Sequence, residues 1–423
     1  MWNDLRASWA LLTGMGLLML GNGLQGTLLG LRATMEGFPT FVTGIMMSSF
    51  YVGMFAGSIL SPRLVKRVGH IRVFAALASL VSIAILIHGI DVNPITWTMM
   101  RFLTGLGYAG LYVVCESWLN DRASNETRGQ MLSVYMVICT LGLAGGQFFL
   151  SFSSPADIDL FIFVSVVVSF GLIPMLLTAR PAPAFETSSS MSLMALYRAS
   201  PLAVIGSGLT GIAHGIIFGL GAVYAGLVIA DVELVSWFVA AIFIGGLLSQ
   251  WPVGWASDRV GRRSMMAVLS SIVVASCLAA SLLPVGSTPF FVAVVVVGGA
   301  AIPMYPLCIA YANDRLEPEQ IIGASGSLLM VSGIGLSIGP AIASYLMGEY
   351  GANFYFHCVS GVFALILCFS LYRMTRREGV DLEEQGPVIA TGQIGTPVAE
   401  YNAPDAEQYV EAQATGEIEK LDE

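Results

Sequence analysis

The chain contains one stretch of sequence twice, as Tyr112-Val-Val-Cys-Glu-Ser-Trp-Leu-Asn-Asp-Arg122 and again, about 193 residues later, as Tyr305-Pro-Leu-Cys-Ile-Ala-Tyr-Ala-Asn-Asp-Arg315. Tyr, Cys, Asn, Asp and Arg stand at the same places in both copies. At nearly the same offset, Arg67-Val-Gly69 corresponds to Arg259-Val-Gly261. Because the offset drifts by only a residue or two across several loops, we infer that the second half of the chain is an old duplicate of the first.

Both halves consist largely of long apolar runs. Hydrophobic residues make up 56% of the chain and charged residues only 11%, against about 45–50% and about 25% in soluble domains. A segment that spans a bilayer must be a helix of about 20 apolar residues, since lipid offers no partner to backbone N–H and C=O groups. Runs of this length cover 9–31, 41–61, 73–91, 95–119, 131–152, 159–179, 203–229, 235–256, 265–285, 290–312, 323–347 and 354–374. The sequence therefore predicts an all-α integral membrane protein with twelve transmembrane helices in two pseudo-symmetric six-helix bundles.

These runs divide the chain into four parts. We predict an N-terminal bundle over 1–179, a polar cytoplasmic linker over 180–200, a C-terminal bundle over 201–374 and an acidic tail over 375–423. The tail holds twelve Asp and Glu residues and three Lys and Arg residues, so it alone accounts for the net charge of −9. Its scattered Gly, Pro and acidic residues predict disorder.

The positive charges test the helix count. Of the 19 Lys and Arg residues, all but Arg32 and Arg101 fall on one side of a twelve-helix arrangement. Cytoplasmic loops carry the excess of positive charge in membrane proteins. We therefore predict that both termini are cytoplasmic and that the protein lies in a bacterial inner membrane.

Three ionisable residues lie within predicted spans. Arg101 is two turns into the fourth span, where it should face the bundle interior, although snorkelling to the outer interface is the alternative. Glu116 lies about 22 Å further along the same helix, too far to pair with Arg101. It either carries protons or is a structural carboxylate that accepts hydrogen bonds from the fifth span, from Arg122 or from Arg128. His214, near the middle of the seventh span, is a candidate for proton relay or solute contact, or it makes one hydrogen bond to a neighbouring helix.

Four neutral polar residues are further candidates for a central solute cavity. Each is equally able to hold two helices together by hydrogen bonds. Asn22 and Gln25 share a face of the first span because they are three residues apart. The four residues are Asn22, Gln25, Gln147 and Gln250.

The connection after the eighth span reads Gly254-Trp-Ala-Ser-Asp258-Arg259-Val-Gly261-Arg262-Arg263. This stretch closely resembles the G-x-x-x-D-R-x-G-R-R/K signature of the major facilitator superfamily of transporters. Arg101-x-x-x-Gly105-x-Gly107 resembles the R-x-x-x-G-x-G signature, whose arginine is associated with proton-coupled members. The stretch 116–121, Glu-Ser-Trp-Leu-Asn-Asp, resembles a little-characterised bacterial branch with no secure substrate class.

A physical role for this loop follows from its residues. Gly261 permits the positive φ that a short reversal requires. Asp258 can face a helix N-terminus, and the arginines can pair across helix ends or serve only as topology anchors. In the first-half copy, Lys66 stands at the place of Asp258 and His70 at the place of Arg262, so this loop lacks the aspartate to which the signature would give a gating role. The candidate gating residues are Arg67, Gly69, Arg72, Gly254, Asp258, Arg259, Gly261, Arg262 and Arg263.

Together these features predict a secondary transporter that works by alternating access. We expect it to move a small solute, coupled to H+, with export favoured. The alternatives are uptake of a small anionic metabolite, or a transporter-like sensor or scaffold that acts through the acidic tail. The sequence has no CxxC pair, nucleotide-binding motif or basic patch. We therefore predict a monomer in the lipid bilayer that is not an enzyme, has no metal or cofactor and does not bind nucleic acid.

Overall fold

The computed structural model of the protein describes residues 2–122, 128–177 and 191–376. Regular structure in these ranges is helical throughout. The helices are α1 (Trp2–Met35), α2 (Thr40–Val68), α3 (His70–Ile90), α4 (Pro94–Arg122), α5 (Arg128–Gly146), the 3₁₀ helix η1 (Gln147–Phe152), α6 (Asp159–Leu176), α7 (Leu193–Ala199), α8 (Pro201–Val228), α9 (Val232–Val260), α10 (Arg262–Leu282), α11 (Thr288–Ala301), α12 (Met304–Asn313), α13 (Pro318–Tyr350) and α14 (Phe354–Arg376). The predicted tail beyond residue 376 and linker residues 180–190 lie outside the described residues.

The long helices make up twelve spanning segments. Helix α5 runs directly into η1, and α11 is followed after two residues by α12. Pro303 lies at that second break, where its missing N–H interrupts the helix. Within the described residues, ten segments are long and apolar enough to cross a membrane. The other two, α1 and α4, have 34 and 29 residues, which also suffices. The predicted twelve-helix fold is confirmed, and the short α7 is a helix at the end of the predicted linker.

The duplication recurs in the packing of the helices. A Cβ atom on Gly142 of α5 would run into the backbone oxygen of Gly16 on α1. At the equivalent place in the second half, a Cβ on Gly335 of α13 would run into the backbone oxygen of Gly208 on α8. The same correspondence holds for Gly146–Leu20 with Gly339–Ile212, for Gly53–Phe102 with Gly245–Val295, and for Gly105–Phe50 with Gly298–Ile242. Such close approach of helices requires glycine, and each approach occurs in both six-helix bundles.

Because successive helices reverse direction, the connections lie at two ends of the molecule. We call one the cation-rich end, and it carries, among the described side chains, Arg63, Lys66, Arg67, Arg72, Arg198, Arg259, Arg262, Arg263, Arg315, Arg373 and Arg376. The other, which we call the opposite end, holds the connections 36–39, 91–93, 153–158, 229–231, 283–287 and 351–353. Arg32 lies near the opposite end, where its guanidinium pairs with Glu36 at 2.6 Å.

The two bundles close against each other at the opposite end. The rings of Phe41 (α2) and Tyr345 (α13) are 6.0 Å apart, and those of Phe148 (η1) and Trp237 (α9) are 5.2 Å apart. Contacts between α2 and α13 continue to about the middle of both helices, where Gly333 lies against Phe55. Helices α4 and α12, which end at the cation-rich end, pack mainly on helices of their own bundles.

Candidate central cavity

A small cavity lies between the bundles. Its volume is about 60 Å³, which is room for a few water molecules. The first bundle contributes, among others, Asn22, Thr27, Phe50, Tyr51, Arg101 and Gln147. Among the described residues, the second bundle contributes only apolar side chains, namely Ile217, Phe218, Ala222, Val239, Ile242 and Phe243. The polar side chains found in this lining therefore belong to the first bundle.

Arg101 on α4 faces this cavity and is almost completely buried, with 4% of the residue exposed. Its guanidinium carbon lies 4.3 Å from the centre of the Phe50 ring. Its Nε and Nη1 atoms are buried and have no hydrogen-bond partner among the described residues. A cation–π contact contributes roughly 0.5–2 kcal/mol, less than the several kcal/mol that burying an ion costs. Arg101 thus takes the interior position predicted for it rather than snorkelling to the interface.

Gln25 on α1 lies at the level of Arg101. The hydroxyl of Tyr108 on α4 donates to the backbone oxygen of Leu18 on α1 at 3.1 Å. Helices α1 and α4 run in opposite directions, so two turns from this contact bring Gln25 and Arg101 to the same height. Gln25 is fully buried and is not among the residues that line the cavity, and neither of its amide atoms has a partner among the described residues. Asn22, one turn before Gln25, is also buried and lines the cavity.

Gln147 lines the cavity, but its amide is already engaged. The Thr27 hydroxyl donates to Gln147 Oε1 at 2.5 Å. Gln147 Nε2 donates to the backbone oxygens of Gly23 and Leu143, both at 3.0 Å. This side chain therefore joins α1 to η1, which is the structural alternative considered for it. Gln250 on α9 is half-buried and is not among the residues that line the cavity.

The two other ionisable candidates lie apart from Arg101. His214 Nε2 is 2.9 Å from the backbone oxygen of Ala301 on α11, and its ring is 5.4 Å from that of Phe218, a cavity residue. Glu116 is 1% exposed and lies nearer the cation-rich end, where the Tyr135 hydroxyl donates to its Oε1 at 3.5 Å. Both residues thus make the hydrogen bonds to neighbouring helices that were considered for them.

The turn after α9 shows the geometry that its sequence predicts. Gly261 has a φ of +87°, and Gly69, at the equivalent place after α2, also has a φ of +87°. Arg262, with 2% of its side chain exposed, approaches Asp314 with its Nε 2.5 Å from Oδ2. Its Nη1 lies 3.6 Å from Oδ1 of Asp258. Arg262 therefore joins the ends of α9, α10 and α12 within the second bundle.

The remaining candidates of the second turn lie at the surface of the bundle. Arg259 is exposed and stacks on Trp255 of the same helix, with 3.9 Å from its guanidinium carbon to the ring centre. Arg263 Nη1 donates to the backbone oxygen of Arg373 at 3.1 Å. Gly254 lies within α9 and is half-buried. Only Arg262 among the arginines of this turn is withdrawn from the surface.

The first-half turn differs as its sequence predicts. Arg67 and Arg72 are exposed. His70, at the place of Arg262, is buried with its Nε2 2.6 Å from the hydroxyl oxygen of Ser117. A hydrogen bond to Ser117 thus lies at the position that corresponds to Arg262 in the second bundle.

Comparison with known proteins identifies the family. The family model for the Major Facilitator Superfamily matches residues 203–403, and that for sugar (and other) transporters matches residues 22–195. YcaD, an uncharacterized MFS-type transporter of Salmonella heidelberg, is 30% identical over 367 residues, which is 85% of this chain and 94% of the relative. The chain belongs to the major facilitator superfamily. A second relative of this superfamily, an uncharacterized MFS-type transporter of Enterobacter sp., is 30% identical over 365 residues.

Solved structures of the major facilitator superfamily share the fold. The nucleoside transporter NupG superposes with a TM-score of 0.73 at 15% identity, over 88% of this chain and 100% of NupG. A bacterial homolog of the human lysosomal transporter Spinster superposes with a TM-score of 0.69 at 14% identity, over 89% of this chain and 97% of the homolog. Membership of this superfamily makes the protein a membrane transporter that works by alternating access, and not an enzyme.

Proposed function

We propose that the protein exports a small amphipathic solute across the bacterial inner membrane, in exchange for protons, and binds that solute in the central cavity. The observation that carries the proposal is Arg101, a buried cation that lines a cavity between the two bundles without a hydrogen-bond partner among the described residues. A charged group inside a membrane protein is costly, and such groups mark solute and ion pathways.

The distribution of charge supports the orientation. Since loops rich in Lys and Arg face the cytoplasm, the cation-rich end is cytoplasmic and the opposite end periplasmic. The periplasmic seal then consists of the close approach of Gly44 to the buried Ser344 between α2 and α13, flanked by the exposed aromatic contacts Phe41–Tyr345 and Phe148–Trp237. The cavity in this state is closed towards the periplasm, and transport requires this seal to open.

Glu116 is our candidate for the proton-carrying group. It lies on α4, the helix that also carries Arg101, and its side chain is buried within the first bundle. The cavity itself is lined by no carboxylate among the described residues. We therefore propose that protonation of Glu116 acts through α4 on the position of Arg101, rather than by direct contact with the solute.

Inverted membrane vesicles that contain the protein test this function. With their cytoplasmic face outwards, they should accumulate the exported solute when their lumen is acidified, and collapse of the pH gradient should release it. A screen of radiolabelled amphipathic compounds in these vesicles, with vesicles lacking the protein as control, identifies the solute. Accumulation only in right-side-out vesicles would contradict export and show that the protein takes up its solute.

A further inference from the structure

We infer that the transported solute is an organic anion, with an acidic group that binds Arg101 and Gln25 and an apolar body that lies against the second bundle. This inference rests on the proposed transport through the central cavity. It follows from the unequal contributions of the two bundles to the cavity.

The charge of the cavity is positive. Arg101 is the one charged side chain among the described residues that line it. Glu116 is fifteen residues further along α4, or about 22 Å, and so does not neutralise Arg101. A cationic solute would be repelled, and a neutral solute would leave the buried guanidinium without a counter-charge. A solute with one negative charge satisfies this electrostatic requirement.

The hydrogen-bonding groups near this charge suit an oxyanion. Arg101 offers its Nε–H and Nη1–H groups. Gln25, at the same height on α1 but outside the lining of the present cavity, has an amide without a partner among the described residues. Carboxylates accept several hydrogen bonds at once, and those from a guanidinium are among the strongest in proteins. Thr27 and Gln147 satisfy each other and contribute polarity rather than donors. The acidic group therefore binds between α1 and α4.

The other side of the cavity is apolar, as the binding of an apolar body requires. The rings of Phe218 and Phe243 are stacked 5.4 Å apart, and Val239 and Ile242 lie beside them on α9. No polar side chain of the second bundle lines the cavity among the described residues. A solute held at its acidic end by the first bundle thus touches the second bundle only through apolar surface. It bridges the bundles, so its presence affects how they move against each other.

Matched compounds test the charge of the solute directly. A panel of aromatic and branched aliphatic bodies is prepared, each as carboxylate, primary amide and primary amine, with 3-phenylpropionate, its amide and 3-phenylpropylamine as one set. Binding to the detergent-purified full chain is measured by thermal shift, and flux is measured in proteoliposomes. We expect carboxylates to bind and to be transported, and amides and amines of the same body to do neither.

Variants then assign the charge to its side chain. Arg101→Gln should weaken carboxylate binding about ten- to a hundredfold, as loss of charge-assisted hydrogen bonds does. The affinity of Arg101→Lys for carboxylates should lie between those of the unaltered protein and Arg101→Gln. Lysine keeps the positive charge but lacks the planar guanidinium that forms two parallel hydrogen bonds. Gln25→Leu should weaken binding without a change in charge. Arg63→Gln, the same substitution at an exposed position of α2, should leave binding unchanged.

Each outcome separates the inference from the proposed function. Binding of amides or amines equal to that of the acids, carboxylate binding unchanged in Arg101→Gln, or no binding by any acid would overturn the inference. If amides or amines are transported instead, transport stands and the anion inference fails. If acids bind at Arg101 but no compound crosses the membrane, the inference stands and the transport proposal fails.

Discussion

Arg262 and Asp314 form a buried ion pair at the cation-rich end, with 2.5 Å between Nε and Oδ2 and only 2% and 4% of their side chains exposed. Both residues belong to the second bundle. The pair therefore fixes the ends of α10 and α12 to each other within one moving body. The ion pairs of Arg262 with Asp258 and Asp314 thus connect helix ends of one bundle, and a gating role for the signature loop stays a prediction.

Removal of one partner of this pair should destabilise the protein. Asp314→Asn removes the closer of the two carboxylates that face the buried Arg262 guanidinium, and loss of one partner of a buried ion pair costs about 3–5 kcal/mol. We expect a clear fall in the Tm of the detergent-purified protein. The double variant Arg262→Met with Asp314→Leu should recover much of the loss, since both charges are then absent. Arg259→Gln, at an exposed site, serves as control, and a fall in Tm as large in this control would contradict the account.

The glycine contacts between helices predict a second pair of variants. A Cβ on Gly146 would run into the backbone of α1 at Leu20, whereas a Cβ on the adjacent Gly145 would meet no atom within 4 Å. Gly146→Ala should therefore cost about 1–3 kcal/mol by overpacking, and Gly145→Ala should be neutral or slightly stabilising. Thermal unfolding of the two variants measures the difference. Equal Tm values would show that α1 and α5 are further apart than described.

The periplasmic seal should open during transport. Cysteines introduced at Phe41 and Tyr345, in a background without native cysteines, can be joined by a short bifunctional thiol reagent that bridges the two bundles. We expect this link to stop flux in proteoliposomes. When the link is made with a reducible reagent, addition of reductant should restore the flux. A link between cysteines at Phe149 and Phe163, whose rings are 5.0 Å apart within the first bundle, should leave flux intact. Undiminished flux with Phe41 and Tyr345 linked would exclude a rocking movement.

Glu116→Gln separates proton coupling from solute binding. The amide keeps the size of the side chain and still accepts the hydrogen bond from Tyr135, but it cannot release a proton. We expect loss of transport driven by a pH gradient, with exchange of labelled for unlabelled solute retained. Tyr135→Phe, which removes the hydrogen bond and keeps the carboxylate, should preserve coupling. Accumulation at the normal level in Glu116→Gln would assign the coupling proton to another group.

His214 should prove to be a packing residue. Its Nε2 lies at hydrogen-bonding distance from Ala301 O, and its ring adjoins Phe218. His214→Gln, which keeps a donor within reach, should retain most flux and coupling, while His214→Leu should lower the Tm because the buried Ala301 oxygen loses its partner. Loss of coupling in His214→Gln at unchanged Tm would instead make His214 a proton carrier.

Much of the fold follows from the sequence because lipid imposes a simple rule on length and polarity. The sequence alone predicts the twelve apolar runs, the duplication and the placement of the cations on one side. It also predicts the interior position of Arg101. Single polar side chains were less predictable. Gln25 and Gln147 look alike in sequence, yet Gln147 has all its hydrogen bonds satisfied and Gln25 has none among the described residues, because only their tertiary neighbours differ.

Two features of the site escaped the sequence analysis. Phe218 and Phe243 line the cavity. Because aromatic residues make up 10% of the chain, their sequence positions do not distinguish residues that line a cavity from residues that pack between helices. Asp314 was legible only as part of the repeated Asn-Asp-Arg triplet. Its pairing with Arg262 depends on α10 and α12 being neighbours, and the hydropathy pattern does not predict which helices pack against each other.

The most direct test of the account is the accessibility of Val239, a half-buried residue of the cavity wall. A single cysteine at this position, in a background without native cysteines, is treated with a membrane-impermeant thiol reagent from either face. We predict reaction from the cytoplasmic face at rest, and reaction from the periplasmic face once a transported carboxylate and a proton gradient are supplied. Reaction from one and the same face under both conditions would contradict alternating access through this cavity.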